Sequence, residues 1–241
     1  PVSLCRSWIG AAAGNIEFVG GVEISDIRRV DNAWRVFDPT GKCLAEAGVA
    51  VFATGAGRLA HTSRLPITPV RGQVSHIPAG KLPKLTHAVC SEGYLTPALN
   101  GVHCLGASYV KDRFDTAASR QEHVENLLRL ARMLPGAERD LDPETMQGRI
   151  GFRATTPDHL PLVGRMPDLD QSLRPGVRFN TFPRHEDLYC LLGLGSRGLV
   201  WSALLAEHLA SLINQEPLPL QRDQVDAVDP ARFALRAFRN A

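Results

Sequence analysis

The segment Leu188-Tyr189-Cys190-Leu191-Leu192 runs without a break into Gly193-Leu194-Gly195-Ser196-Arg197-Gly198, and a long apolar-rich stretch follows to about Asn214. A buried strand, a glycine-rich joint and a helix in direct succession form a unit of α/β architecture. This unit restricts the fold more than any other part of the chain. At such a joint the unpaired N–H groups of the helix start, together with the helix dipole, attract anions or partial negative charge. The Gly-Lys-Ser/Thr ending of a P-loop is missing. The same glycines also serve a plain strand-to-helix joint that binds nothing.

A second joint lies earlier. Val49-Ala50-Val51-Phe52-Ala53 is continuously apolar and ends in Thr54-Gly55-Ala56-Gly57. The run predicts a parallel strand sandwiched on both faces. Its small terminal residues either admit a ligand to the backbone or shape a βα turn.

Between and around the joints the periodicity predicts further elements. Leu4–Ala13 reads as the end of a helix, closed by Gly14-Asn15. Ile16–Val19 and Val22–Val30 read as strands. Trp34–Phe37 and Cys43–Ala47 flank Pro39-Thr40-Gly41-Lys42 as a hairpin. Val70–Ile77, Ala88–Thr96, Val102–Ala107 and Gln147–Thr155 read as a mainly antiparallel set. Ser119–Met133 reads as a helix with Leu127, Leu128, Leu130, Ala131 and Leu134 inward, and Ser119 with Glu122 resembles a capping box. A short amphipathic helix bearing Arg232, Arg236 and Arg239 follows Asp229. The expected division is residues 1–65, 66–165 (with the helix 119–133) and 166–241.

The chain has 241 residues, 44% hydrophobic and 22% charged, with a net charge of +2. That composition suits a folded domain with a real core, and the charge alone does not argue for nucleic acid. Cys5, Cys43, Cys90, Cys104 and Cys190 are widely spaced and form no metal-ligand pattern, so they read as free, mostly buried thiols of a reducing compartment. No run of about 18 apolar residues spans a membrane. The start, Pro1-Val2-Ser3, reads as the interior of a longer protein.

A third motif is Gly151-Phe152-Arg153-Ala154-Thr155-Thr156-Pro157-Asp158-His159-Leu160-Pro161-Leu162-Val163-Gly164. An arginine at the end of an apolar strand suits a two-point grip on a carboxylate. It equally suits a structural pair with Asp158. His76, His159 and His185 are scattered and form no triad.

In this order the three motifs resemble the D-amino-acid oxidase superfamily of flavoproteins. The blocks Val70–Pro78 (VRGQVSHIP), Gly93–Pro97 (GYLTP), Gly106–Tyr109 (GASY) and Gly195–Leu199 (GSRGL) together resemble one branch of it, the flavin domains of bifunctional tRNA-modifying enzymes. The resemblance implies a mixed α/β fold: part of a Rossmann-like FAD lobe and a mainly antiparallel substrate lobe. It implies FAD as cofactor and oxidation of the C–N bond of a carboxymethylaminomethyl group on tRNA wobble uridine. By that resemblance Arg153 holds the substrate carboxylate and Tyr94 adds a hydroxyl. Ile24 matches the position that touches adenine, and Ala53, Thr54 and Gly55 lie near the dinucleotide. Gly195, Ser196, Arg197, Gly198 and Leu199 face the flavin edge.

The implied partners are tRNA, a methyltransferase domain and the N-terminal part of the flavin domain, in the cytoplasm and with no membrane. The superfamily opens with strand–GxGxxG–helix, and nothing before Val51 matches it. Gly10–Gly14 is only Gly-Ala-Ala-Ala-Gly after a helix, so the chain alone is expected to hold little FAD. Two other readings stay open: a glycine- or sarcosine-type amine oxidase, and a cofactor-free module that binds tRNA or a partner.

Overall fold

The computed structural model describes residues 2–12, 14–111 and 113–240. In chain order the strands are β1 (Asp26–Val30), β2 (Ala33–Phe37), β3 (Cys43–Ala47), β4 (Ala50–Phe52), β5 (Thr68–Pro78), β6 (Val89–Cys90), β7 (Tyr94–Leu95), β8 (Val102–Gly106), β9 (Val110–Lys111), β10 (Gln147–Thr155), β11 (Leu162–Pro167) and β12 (Arg184–Leu192). The helices are α1 (Val2–Ala11), α2 (Arg120–Met133), α3 (Gly198–Asn214), α4 (Arg222–Val228) and α5 (Arg232–Arg239). Two compact units result: residues 1–67 with 156–241, and residues 68–155.

In the first unit β12 lies between β11, antiparallel, and β4, parallel. Leu188, Tyr189 and Cys190 stand opposite Ala50, Val51 and Phe52. Helix α3 packs Leu205 and Leu209 on Val163 and Tyr189, and Val228 at the end of α4 joins the same cluster. Each fully buried leucine there contributes about 1.5–3 kcal/mol. Helix α5 closes a neighbouring cluster through Leu235 against Phe182. A separate antiparallel sheet, β1-β2-β3, is tied to the start of β12 by Trp34 Nε1 and Arg29 Nη1, which donate to the Glu186 carbonyl at 3.0 and 2.8 Å. Its hairpin forms at the expected place. The Asp38 carboxylate accepts from the N–H groups of Thr40 and Lys42, and Gly41 takes φ +85°.

The second unit is one six-stranded antiparallel sheet in the order β10-β5-β8-β7-β6, with β9 also on β5. Its apolar core is Ile77, Leu95 and Leu105 from the sheet against Leu127 and Leu130 of α2.

Several expectations change. Ile16–Val19 forms no strand, and only Asp26–Val30 of the next segment pairs. The apolar residues of the first segment stay exposed, Phe18 at 77%, so no neighbour supplies a ladder. α1 forms and buries nothing, and Ala13 lies outside the described residues. β4 is parallel as expected but not sandwiched. Phe52 is buried while Val51 is 44% exposed, because β4 is an edge strand with cover on one face. Ala88–Thr96 splits into β6 and β7, where Ser91 N–H donates to the Gly93 carbonyl. Ser119 makes no side-chain cap, and Leu128 points outward at 56% exposure. The thiols are all free, but Cys5, Cys43 and Cys90 are exposed: one is on the unburied α1, the others on β3 and β6 at sheet edges. Only Cys190 is buried, which pushes its thiol pKa up.

Candidate active site

Arg153 sits near the end of β10, opposite Val70 of β5, with Gly151 opposite Gly72 two residues earlier. Its guanidinium folds back over Gly72. A Cβ at position 72 would lie 2.7 Å from both Cζ and Nη2 of Arg153, and closer still to Nη1. Nη1 donates to the Ser108 carbonyl at 3.3 Å, and Cζ stands 5.6 Å from the centre of the Tyr109 ring. Among the described residues no carboxylate lies within ion-pair distance of Arg153, and Nε and Nη2 find no acceptor there. Asp158, the alternative partner read from sequence, is taken by Arg232 instead. Arg232 Nε and Nη2 grip its two oxygens at 2.9 and 2.7 Å. Burial opposes ionisation of Asp158, but the hydrogen bonds from Arg232 and Leu160 N–H outweigh it and hold the pKa below the ordinary value.

Tyr94 belongs to the same unit and pairs with Gly106 on β8. Burial pushes its hydroxyl pKa up while the charge of Arg153 pulls the other way. Behind them lies a buried polar cluster that the sequence reading missed. Glu122 of α2 binds Arg71, which is 0% exposed, and accepts from the Ser108 hydroxyl. Ser108 Oγ also accepts from Gln73 N–H at 2.8 Å, and Ser108 N–H donates to the Gln73 carbonyl at 3.1 Å. The available signal was Gly72 inside a predicted strand and flanked by Arg71 and Gln73, since a strand glycine often marks close approach of another group.

In the other unit the Gly193–Gly198 joint leads from β12 into α3, as read from sequence. Gly193 and Gly195 have φ of +68° and +56°, and a Cβ on Gly193 would meet the Thr156 methyl at 2.9 Å. Those two positions need glycine. Gly198 does not: its φ is ordinary and a Cβ would find only van der Waals neighbours. Arg197 is the N-cap, and its carbonyl accepts from both Val200 and Trp201 N–H at 3.0 Å. The N–H groups of Gly198 and Leu199, at the first two helical positions, have no intrahelical acceptor. Ser196, Arg197 and Leu199 are exposed there.

The earlier joint ends in a turn and not in a helix. Gly57 N–H donates to the Thr54 carbonyl at 3.0 Å, Gly55 takes φ +62°, and Ala53, Thr54 and Gly55 are all exposed. Ile24 and Thr54 line one largely apolar cavity of about 250 Å³ with Val36, Val49 and Val51.

Residues 1–212 match the profile of the FAD dependent oxidoreductase (DAO) family. The chain belongs to that family. Among relatives of this FAD-dependent oxidoreductase are proteins named tRNA 5-methylaminomethyl-2-thiouridine biosynthesis bifunctional protein MnmC. The one from Azoarcus sp. (strain BH72) is 42% identical over 243 residues, 99% of this chain and 38% of that protein. The one from Paraburkholderia xenovorans (strain LB400) is 40% identical over 250 residues, again 99% and 38%. This chain thus spans 38% of the length of these curated relatives. Glycine oxidase from Geobacillus kaustophilus superposes with a TM-score of 0.69 at 23% identity, over 92% of this chain and 55% of that one. L-proline dehydrogenase from P. horikoshii gives 0.68 at 19%, over 97% and 59%. The fold class is therefore the mixed α/β fold of these flavoenzymes.

FAD fits the oxidoreductase at two places. The exposed α3 start presents unpaired N–H groups at a joint with no side chain on Gly193, Gly195 or Gly198, which suits the electron-rich edge of a flavin. The apolar cavity at Ile24 and Thr54 suits a flat adenine. The diphosphate is another matter: among the described residues the only glycine-rich joint from strand to helix is the one at α3. Among those residues no group of His, Cys, Asp or Glu is placed to hold a metal, and no helix is long and apolar enough to cross a membrane.

Proposed function

We propose that the chain is part of an FAD-dependent oxidase that cleaves the C–N bond of the carboxymethylaminomethyl group on tRNA wobble uridine. Two-electron oxidation of the amine gives an imine, which water hydrolyses to glyoxylate and an aminomethyl uridine. The parent protein carries a methyltransferase domain and the remaining N-terminal part of the flavin domain, and works in the cytoplasm. The relatives' names and their greater length support this reading. The observation that carries it is the half-buried guanidinium of Arg153, which has no carboxylate partner among the described residues, with Asp158 already occupied by Arg232.

Bound FAD supplies the two-electron acceptor. The protein's own task is positioning and electrostatics. Arg153 grips the carboxylate of the carboxymethyl group with its free N–H donors, and the Tyr94 hydroxyl adds a hydrogen bond. Tyr94 stays protonated at neutral pH, so it donates. The Gly195–Leu199 joint favours negative charge at the flavin edge through the α3 dipole. Ile24 packs on adenine, and Ala53, Thr54 and Gly55 approach the dinucleotide.

The test is a substrate panel on the full-length protein. Glyoxylate is measured with carboxymethylaminomethyl-tRNA, free glycine and sarcosine. Release from the tRNA alone supports the reading. Turnover of the free amino acids alone replaces it with a small-amine oxidase, and turnover of none leaves a non-enzymatic module.

A further inference from the structure

The geometry points to Gly72, with the Ser108–Tyr109 segment, as the device that positions Arg153 for its substrate. This inference rests on the carboxylate reading above and adds residues to which no role has been given. A strand arginine next to bare β-sheet has several rotamers of similar energy, and its charged end normally seeks water or an acid. Here three contacts select one arrangement. The missing side chain of Gly72 leaves a slot that the guanidinium fills, so any Cβ would expel it. The Ser108 carbonyl accepts from Nη1 on one edge. The Tyr109 ring, 49% exposed, lies within cation–π range of Cζ.

The seat is rigid because Ser108 is rigid. Its N–H and hydroxyl are both held by the Gln73 backbone, and the hydroxyl also donates to Glu122. Glu122 in turn is fixed by the fully buried Arg71. The seat therefore uses one donor of Arg153 and, among the described residues, leaves Nε and Nη2 facing no acceptor, the edge that suits a planar two-oxygen anion. Gly72 and Tyr109 act through Arg153 and touch no reacting atom. They are positioning residues.

The experiment is a double-mutant cycle in the full-length, FAD-loaded protein, with carboxymethylaminomethyl-tRNA as substrate and flavin absorbance confirming equal loading. Gly72→Ala should lower kcat/KM by about tenfold to a hundredfold, mostly through KM, since misplacement by about 1 Å has that effect. In the Arg153→Ala background the same substitution should change nothing further. Tyr109→Leu should raise KM about threefold, again only with Arg153 present, and Tyr109→Phe should restore it because the ring face is what acts. These two variants decide the matter if Gly72→Ala does not fold. Equal losses with and without Arg153, or a wild-type Tyr109→Leu, overturn the seat. Unchanged kinetics in Arg153→Ala itself overturn the carboxylate reading instead.

Discussion

Arg153 and Arg232 carry the same charge into opposite surroundings, so their removal should register in different measurements. Arg232 is 4% exposed and saturated by Asp158 and three backbone carbonyls. Arg232→Ala strands the carboxylate and should cost about 3–5 kcal/mol in urea unfolding. Arg153→Ala should leave unfolding near wild type and FAD bound. It should remove about 2–5 kcal/mol of transition-state stabilisation in kcat/KM. The reverse pattern would mean that the two roles are exchanged. A similar contrast holds among the glycines. Gly193→Ala forces a left-handed conformation and a clash with Thr156, and should destabilise the fold by about 1–3 kcal/mol. Gly198→Val keeps an ordinary φ, so its effect should fall on flavin content and reduction potential. If both stay at wild-type values in a folded protein, the turn is structural only.

Helix α2 shows how far an element can be read from its own residues. Its span follows from 3.6-residue periodicity, and Leu127 and Leu130 are inward as that period demands. Its inward side also carries Glu122, His123 and Asn126, which share that face by spacing but which polarity alone would assign to water. They are buried because Arg71, Gln73, Ser75 and Ser108, some 14 to 53 residues away in sequence, supply partners. The same limit explains β4: its apolar run announces burial, but only the sheet order shows that one side is an edge. β11 escaped notice because Pro161, Gly164 and Pro167 break its apolar pattern. The glycine joint into α3 was legible because the requirement is local. The seat of Arg153 was not, because it is assembled from two strands and a loop that are far apart in sequence. Glu122→Ala should expose the cost of the buried pair by leaving the buried Arg71 with only the partly exposed Asp115 as a carboxylate partner. We expect a loss of about 3–5 kcal/mol and faster hydrogen exchange throughout α2. Exchange confined to the first turn would show that α2 is held by its leucines alone.

At the scale of the molecule, three histidines are expected to shape the acid side of the stability profile. Burial lowers the pKa of His61, His123 and His208, with the neighbouring His185 adding to the effect at His61. The unfolded chain then binds more protons than the folded one below the ordinary histidine pKa. Stability is full above that value and falls as the pH drops toward the lowered ones. Urea midpoints should decline from about pH 6.5 downward, and replacing His208 by Gln should flatten the slope. A slope that begins only in the carboxylate range would exclude these groups. The same 241 residues, taken alone, should bind FAD weakly, since the described residues hold no second glycine-rich strand-to-helix joint to replace the hydration of the diphosphate. Stoichiometric tight binding in a titration would show that the cradle lies elsewhere in the chain. Finally, the second unit begins at Thr68 and ends at Thr155, and these two residues face each other across the β5–β10 ladder, where the Thr155 hydroxyl donates to the Thr68 carbonyl at 3.0 Å. Its entrance and exit are one doorway. A lobe attached in this way can be lengthened, reshaped or exchanged as a cassette through a single pair of cuts, while the rest of the chain keeps its own sheets and helices.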